Sequence, residues 1–257
     1  MSRLQILLIQ ARVTGDPMAE HERQAFAMGC KLAPEQFRIF NVAVDEFDHF
    51  ELGSCDAVMI GGSGDYSLVE GGFSWHEDFL NLVRHLVRVE IPTFGSCFGF
   101  QAIVQALNGD LVADADRSEV GTFAISRTEV ADSHPLFAGL PETFDAQLGH
   151  KDSAIRLPQG VSHLARSERC EYQAIAVDDT PIVATQFHPE LTREGSLERF
   201  ENYLQGYKKP GQDIEEAMAY ARKMHRPSPD SCGLLCSFIE RVRESRRRGL
   251  RVAVGAE

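Results

Sequence analysis

The sequence predicts an α/β fold with an open, mostly parallel sheet that carries helices on both faces. Three observations predict it: the chain opens on the short apolar run Leu4–Ile9, two further apolar runs lead into Gly61 and Gly95, and helical patterns separate these runs. Short apolar runs are typical of strands that are buried on both faces of a parallel sheet. Strands that alternate with helices indicate such a sheet, in which ligands bind at the carboxyl ends of the strands.

The elements follow one another in the order β, α, β, β, α, β, α up to residue 108. Apolar side chains at helical spacing predict the helices, and short extended or apolar runs predict the strands. The predicted strands are Leu4–Ile9, Phe37–Val44, Ala57–Ile60 and Ile91–Phe94, and the predicted helices are Met18–Leu32, His76–Val89 and Phe98–Asn108.

The pattern changes in the second half of the chain. Shorter extended pieces punctuated by prolines predict a small antiparallel annex within Gly121–Val183. A helix resumes at Leu197–Tyr207, and Lys208–Gly211 is typical of a turn or linker. We therefore predict one α/β domain over residues 1–207 and a C-terminal helical extension over residues 208–257, which contains two amphipathic helices and ends in a basic tail.

The composition excludes several classes of protein. The 257 residues are 43% hydrophobic and 25% charged, which is typical of a globular chain, and the net charge of −12 argues against a general nucleic-acid binder. No run approaches the roughly 20 apolar residues that span a bilayer. We expect a cytoplasmic protein that contacts neither nucleic acid nor membrane. Its basic tail is typical of a solvated charged face, and the testable alternative is that it docks on the acidic body of the same chain or of a second subunit. A homo-oligomer is left open.

The most informative segment is Thr93–Gln101, a buried strand that enters Gly95-x-Cys97-x-Gly99 and continues as a helix. This is the form of a nucleophile elbow with cysteine in place of serine. Small residues on either side of Cys97 let the backbone turn sharply, and the start of a helix favours a thiolate. The N–H of Phe98 is then a candidate oxyanion donor. The alternative is a buried structural cysteine in a glycine-containing turn.

A partner for this cysteine follows the apolar run that ends at His188-Pro-Glu190. Residues i and i+2 project to the same side of an extended chain, so Glu190 can orient the imidazole and stabilise its protonated form. His188 is the candidate base for Cys97. Taken alone, such a pair is more often a surface pair or a fragment of a metal site.

A third segment is the glycine-rich loop that follows Ala57–Ile60. Glycine lets backbone N–H groups approach a ligand oxygen closely, and we expect the Gly62 N–H to be the second oxyanion donor. The rival interpretation is a phosphate-binding loop. The segment lacks the Lys-Ser/Thr ending of a P-loop and the G-x-G-x-x-G spacing.

These three segments, in this order and spacing, resemble the class I (triad type) glutamine amidotransferases over roughly residues 4–205, most of all chains similar to the amidotransferase domain of GMP synthase. The resemblance implies flavodoxin-like layering and hydrolysis of the glutamine side-chain amide through a γ-glutamyl thioester, with release of ammonia and glutamate. It implies the triad Cys97, His188 and Glu190, with Gly62 and Phe98 as oxyanion donors.

The resemblance also implies a glutamine pocket that Gln101, Gly149 and His150 help to line. It implies neither a metal nor an organic cofactor. Most such amidotransferases pass ammonia to a synthase on the same chain or in a complex, so an ammonia-accepting synthase chain is the expected partner beside the substrate glutamine. Ser63 and Gly149 depart from the proline and serine that are usual at these positions.

Two other functions are consistent with the same residues. A γ-glutamyl hydrolase or peptidase could use the same Cys-His-Glu triad on γ-glutamyl amides without passing on ammonia. A non-catalytic binding or regulatory module could retain the fold as an interaction surface. The intact Cys97, His188 and Glu190 argue against the second of these alternatives.

Overall fold

The computed structural model describes residues 3–53, 55–204 and 213–248. It contains one nine-stranded sheet and one two-stranded sheet. The strands are β1 (Ile6–Ala11), β2 (Phe37–Asn41), β3 (Ala57–Ser63), β4 (Thr93–Ser96), β5 (Asp110–Ala113), β6 (Glu119–Arg127), β7 (Thr143–His150), β8 (Asp152–Arg156), β9 (Val161–Arg166), β10 (Ala174–Val177) and β11 (Ile182–Thr185). The α-helices are α1 (Met18–Cys30), α2 (His76–Arg88), α3 (Phe98–Ala106), α4 (Arg193–Asn202), α5 (Ile214–Met224) and α6 (Pro229–Arg247).

The large sheet has the strand order β2-β1-β3-β4-β11-β10-β9-β6-β7. The pairs from β2 to β11 are parallel, and the pairs from β11 to β7 are antiparallel. The predicted α/β class and its parallel sheet are confirmed. The predicted antiparallel annex continues the same sheet, and β5 and β8 pair separately.

The core lies on both faces of the parallel strands. In β1, Ile6 and Leu8 contact the cluster on one face, and Leu7 and Ile9 contact the cluster on the other face. Helices α1 and α6 cover the first face and helices α2 and α3 cover the second. Burial on both faces explains why the sequence of β1 is apolar at every one of these positions.

The C-terminal helix belongs to this core. Leu234, Leu235 and Phe238 of α6 are buried in the same cluster as Ile6, and the Phe238 ring packs against that of Phe94 at 5.6 Å. The two predicted amphipathic helices are present as α5 and α6. The predicted boundary at residue 207 and the end of the basic tail lie outside the described residues. Within the described part of the chain, no helix combines the length and apolar character needed to cross a membrane.

Candidate active site

The three segments singled out in the sequence meet at one edge of the sheet. Strands β3, β4 and β11 are parallel neighbours, so their carboxyl ends lie side by side. Cys97 follows β4, His188 lies three residues beyond β11, and Gly62 lies within the end of β3 rather than in a separate loop. The strand order therefore places a thiol, an imidazole and a glycine-rich segment next to one another.

Cys97 occupies a sharp turn between β4 and α3. Its φ of 52° and ψ of −97° are unusual for a residue other than glycine. Two hydrogen bonds hold the turn: the Cys97 N–H donates to the Thr185 carbonyl at 2.8 Å, and the Gln101 N–H donates to the Cys97 carbonyl at 3.0 Å. This is the elbow that the Gly95-x-Cys97-x-Gly99 pattern predicts.

The turn requires glycine at position 99 because α3 lies directly against β3. A Cβ atom at Gly99 would lie 2.6 Å from the Ile60 carbonyl oxygen and 2.8 Å from the Ile60 Cβ. We expect Gly99→Ala to lower the free energy of unfolding by about 1–3 kcal/mol, because such an overpacked contact forces the backbone to shift. Chemical denaturation measures this difference.

Gly233→Ala is the matched control, because Gly233 also lies in a helix but a Cβ atom added there would have nothing within 4 Å. This variant should raise stability by up to about 1 kcal/mol through helix propensity alone. Equal stability of Gly99→Ala and the native chain would contradict the close approach of α3 to β3.

His188 and Glu190 form a buried pair. His188 Nδ1 lies 2.7 Å from Glu190 Oε1, and the Ser96 hydroxyl donates to Glu190 Oε2 at 2.8 Å. Burial lowers the pKa of His188, but attraction to Glu190 and to Cys97, with hydrogen bonds to both, raises it overall to about 9. Burial raises the pKa of Glu190, but His188, Arg199 and the Ser96 hydroxyl lower it overall to about 2. The pair is therefore an imidazolium and a carboxylate at neutral pH.

Arg199 of α4 stands behind this pair. Its Nη1 lies 3.2 Å from Glu190 Oε1 and 3.3 Å from His188 Nδ1. Its Nη2 lies 3.6 Å from Glu22 Oε1, and Glu22 in turn forms a 2.7 Å ion pair with Arg12. Opposite charges thus alternate from Arg12 to His188, and each of these side chains is buried. No sequence motif marks Arg12, Glu22 or Arg199 as part of the site.

The two expected oxyanion donors, the N–H groups of Phe98 and Gly62, differ in whether a protein group already accepts their hydrogen bond. Phe98 is the first residue of α3, so its N–H has no acceptor within the helix. The Gly62 N–H donates to Glu22 Oε1 at 3.0 Å. Because an amide has one hydrogen, Gly62 does not offer a second donor to a substrate oxygen in this conformation. The prediction from the sequence missed this, since Glu22 lies 40 residues away in α1.

A cleft of about 710 Å³ opens beside Cys97. Cys97 and Phe98 line it, together with Gln101, Gly149 and His150, the three residues that we expect in the glutamine pocket. The glycine-rich segment contributes Ser63 and Gly64 to the same wall.

The amide of Gln101 and the imidazole of His150 are held by protein groups at the cleft wall. Gln101 Nε2 donates to the Asp152 carbonyl at 3.0 Å, and His150 Nδ1 lies 3.0 Å from the same oxygen. His150 Nε2 lies 3.1 Å from Glu119 Oε2, and the His150 side chain has no solvent exposure. These contacts indicate that His150 supports the wall from behind, while Gly149 and Lys151 complete it on either side.

A comparison with known proteins decides the family. The family model described as glutamine amidotransferase class-I matches residues 34–202, more than half of the chain. The chain belongs to the class I glutamine amidotransferases. The fold, the family and the enzyme activity that the sequence predicts, hydrolysis of the side-chain amide of glutamine, are thereby confirmed.

Relatives of this amidotransferase include two chains that are named as subunits of glutamine-hydrolysing GMP synthases. The one from Methanothermobacter thermautotrophicus is 35% identical over 138 residues, which are 53% of this chain and 72% of the relative. The one from Sulfurisphaera tokodaii is 32% identical over 155 residues, or 60% of this chain and 78% of the relative. A glutamine-hydrolysing GMP synthase from Thermomicrobium roseum is 44% identical over 101 residues, 39% of this chain but 18% of that longer protein.

Solved structures share the fold of the amidotransferase. A glutamine amidotransferase from Thermotoga maritima superposes with a TM-score of 0.72 at 21% identity, covering 95% of this chain and 100% of the other. A glutamine amidotransferase from Methylobacillus flagellatus gives 0.68 at 19% identity, covering 100% and 99% of the two chains. At these identities the likeness shows the fold alone.

The amidotransferase contains a second Glu-His-Cys group that is distinct from Cys97, His188 and Glu190. Glu119, His150 and Cys170 bring one ligand atom each to within 4.8 Å of one another. Burial raises the pKa of Cys170 to about 11, and its sulfur lies 3.2 Å from the Arg117 carbonyl. A thiol in this environment is a poor nucleophile at neutral pH, whereas Cys97 lies at the elbow and faces the cleft.

Proposed function

We propose that this amidotransferase hydrolyses glutamine through a γ-glutamyl thioester on Cys97, with His188 as proton carrier and Glu190 as the group that orients it. One observation carries the assignment: the elbow thiol and the 2.7 Å His188–Glu190 pair converge at the same sheet edge, beside the cleft. An imidazolium next to a sulfur favours the thiolate, which is the nucleophilic form of cysteine.

The first half-reaction releases ammonia. The Cys97 sulfur attacks the side-chain amide carbon of glutamine, an S–C bond forms, and the carbonyl electron pair moves onto the oxygen. The Phe98 N–H stabilises this oxyanion, as backbone donors at helix starts can. His188 then gives its proton to the amide nitrogen, the C–N bond breaks, and ammonia leaves the thioester.

The second half-reaction restores the enzyme. Water gives a proton to the neutral His188 and attacks the thioester carbon, the C–S bond breaks, and glutamate leaves. Glu190 stabilises the imidazolium each time it forms, because its carboxylate is held by Ser96 and Arg199 in the correct direction. Gly62 would join the oxyanion site once its N–H exchanges Glu22 for the substrate oxygen.

The ammonia is proposed to serve a separate synthase chain. The relatives named as GMP synthase subunits support this, because a chain that only hydrolyses glutamine needs a second chain to use the ammonia. The longer GMP synthase from Thermomicrobium roseum supports the same arrangement on a single chain, since only 18% of it matches.

A second candidate substrate is a γ-glutamyl amide with a larger amine. The cleft of about 710 Å³ has room for such a substrate, since pockets of roughly 300–1,000 Å³ hold drug-sized ligands. The same triad would act, with the larger amine leaving in place of ammonia. Release of ammonia from glutamine and of amine from γ-glutamyl dipeptides, measured side by side, shows whether the cleft accepts larger amines in addition to glutamine.

Mass spectrometry tests the mechanism directly. Acid quenching during turnover should trap a γ-glutamyl group on the peptide that contains Cys97, because thioester formation precedes hydrolysis. The Cys97→Ala variant under the same conditions is the control and should carry no adduct. Steady release of ammonia with the adduct on a different cysteine would refute the assignment of Cys97.

A further inference from the structure

Gln186 is a buried polar residue that the steps above do not use. It lies between β11 and His188 and has no solvent exposure. Its Nε2 donates a hydrogen bond to the Cys97 sulfur at 3.5 Å. The backbone on either side is fixed, since the Gln186 N–H donates to the Gln173 carbonyl at 2.8 Å and the His188 N–H donates to the Gln147 carbonyl at 2.8 Å.

The direction of this hydrogen bond follows from its neighbours. A backbone carbonyl only accepts, so the atom of Gln101 that lies 3.0 Å from the Asp152 oxygen must be Nε2. The same Nε2 lies 3.3 Å from the Gln186 amide, so the Gln186 atom that faces it must be the acceptor Oε1. The Gln186 NH₂ group is then left to face Cys97. The orientation of the amide at the sulfur is therefore set by the Asp152 carbonyl, two side chains away.

Resting on the proposed cysteine mechanism, we propose that Gln186 is a further catalytic residue that stabilises the Cys97 thiolate by donating a hydrogen bond to its sulfur. Gln101 is a positioning residue that holds the Gln186 amide in the donating orientation. The thiolate occurs twice in the cycle, as the nucleophile that attacks glutamine and as the group that leaves when water opens the thioester. A donor at the sulfur favours both states.

Gln186 and His188 act differently on the Cys97 sulfur. His188 exchanges its proton in each half-reaction and is neutral for part of the cycle. The amide of Gln186 does not titrate, so its hydrogen bond to the sulfur persists when His188 is neutral. The Gln186 donor is therefore already in place when the C–S bond breaks and the thiolate forms again, whatever the protonation state of His188 during the preceding thioester stage.

The experiment measures the reactivity of Cys97 without any glutamine. The rate of carboxamidomethylation of the Cys97 peptide by iodoacetamide is followed against pH, because only the thiolate reacts. In Gln186→Leu the pH midpoint should rise by about one unit, since a lost hydrogen bond of about 1.4 kcal/mol corresponds to one pKa unit. The same variant should lose glutaminase activity by about tenfold.

Other charged groups around the thiol stay constant in this comparison. His188 contacts the sulfur, with Glu190 and Arg199 behind it. The charged groups on the cleft side are unchanged as well, namely Asp65, Glu70, Asp114, Lys151 and Asp152. Peptide-level detection separates Cys97 from the remaining cysteines.

Gln36→Leu is the matched control, because Gln36 is also a buried glutamine but bonds to the Leu4 carbonyl far from the site. Its Cys97 midpoint should equal that of the native chain. Gln101→Leu leaves Gln186 in place and should raise the Cys97 midpoint by less than Gln186→Leu does. The double variant Gln101→Leu, Gln186→Leu should match Gln186→Leu alone, since Gln101 acts through Gln186.

An unchanged midpoint in Gln186→Leu, or an equal rise in Gln36→Leu, would overturn the proposal. If Gln186→Leu does not fold, the midpoint of Gln101→Leu decides, and the native value there would overturn it too. The proposal and the glutamine mechanism can fail separately. If the Cys97 midpoint rises in Gln186→Leu but the native chain forms no γ-glutamyl adduct, Gln186 is a donor to the sulfur and the glutamine mechanism is refuted.

Discussion

Replacing Cys97 by alanine should reduce the hydrolysis of glutamine by at least about 10⁴-fold, because removal of a nucleophile leaves only binding and the oxyanion donor to act on the amide. Three of the other thiols are poor replacements for Cys97 as the nucleophile. Burial raises the pKa of Cys55 and of Cys170 to about 11, and it raises that of Cys30 well above the ordinary value. Ammonia release at saturating glutamine measures the effect.

The variant should keep its fold, because Cys97 is held by backbone hydrogen bonds and alanine fills the same turn. Thermal unfolding checks this. Cys55→Ala is the control for loss of a half-buried thiol outside the site, and its glutaminase activity should equal that of the native chain. Residual activity of several per cent in Cys97→Ala would show that another group attacks the amide.

The parallel half of the fold was predictable because its strands are buried on both faces. β1 and β3 each carry a short apolar run, and the helix between β3 and β4 shows one apolar face. The predicted helix Met18–Leu32 ends two residues early because Lys31 adopts a left-handed conformation with φ of 52°. Local patterns decide such elements, so the sequence alone predicts them well.

The antiparallel half was less predictable because its strands are exposed in part. β8 and β9 mix buried and exposed residues without strict alternation, and no strand was predicted at either. β7 pairs with β6 over eight residues, yet its sequence contains polar residues such as Gln147, which is buried and donates to the Arg226 carbonyl and the Ser228 hydroxyl in the segment before α6. Such strands depend on contacts between distant parts of the chain, which no local pattern records.

The same distinction applies to the site. Cys97, His188 and Glu190 could be named because each lies in a short motif at the end of a strand. Arg199 and Gln186 could not, because their roles depend on which side chains the fold brings near them. The Gly62 N–H illustrates this limit: the glycine motif predicted an oxyanion donor, and in the structure a carboxylate from α1 accepts its hydrogen bond.

Glu190→Gln should lower kcat/KM by about 10²- to 10⁴-fold, because the neutral amide no longer stabilises the His188 imidazolium. It should also move the pH dependence. The mechanism needs a protonated His188, so native activity should fall as the pH rises through its pKa of about 9. Without the attraction of Glu190 that pKa moves down, and the fall should begin at lower pH. A pH profile of kcat/KM measures both effects.

Glu190→Gln should also lower the free energy of unfolding, and this loss should depend on pH. Folding raises the pKa of His188 from 6.5 to about 9, so its contribution is complete below pH 6.5 and is lost as the pH rises to about 9. Folding lowers the pKa of Glu190 from 4.5 to about 2, so its contribution is complete above pH 4.5 and is lost as the pH falls to about 2. The loss of stability in Glu190→Gln should therefore be largest between pH 4.5 and 6.5.

The size of that loss should be about 3 kcal/mol, because removing one partner of a buried ion pair leaves the other charge uncompensated. Here Arg199 and His188 both lose their nearest carboxylate. Glu201→Gln is the control, since Glu201 is an exposed carboxylate on α4, the helix that carries Arg199. The free energy of unfolding of this variant should stay within about 0.5 kcal/mol of the native value. A stability difference that does not vary with pH would contradict the charged state assigned to the pair, since only a titrating carboxylate and imidazole produce that dependence.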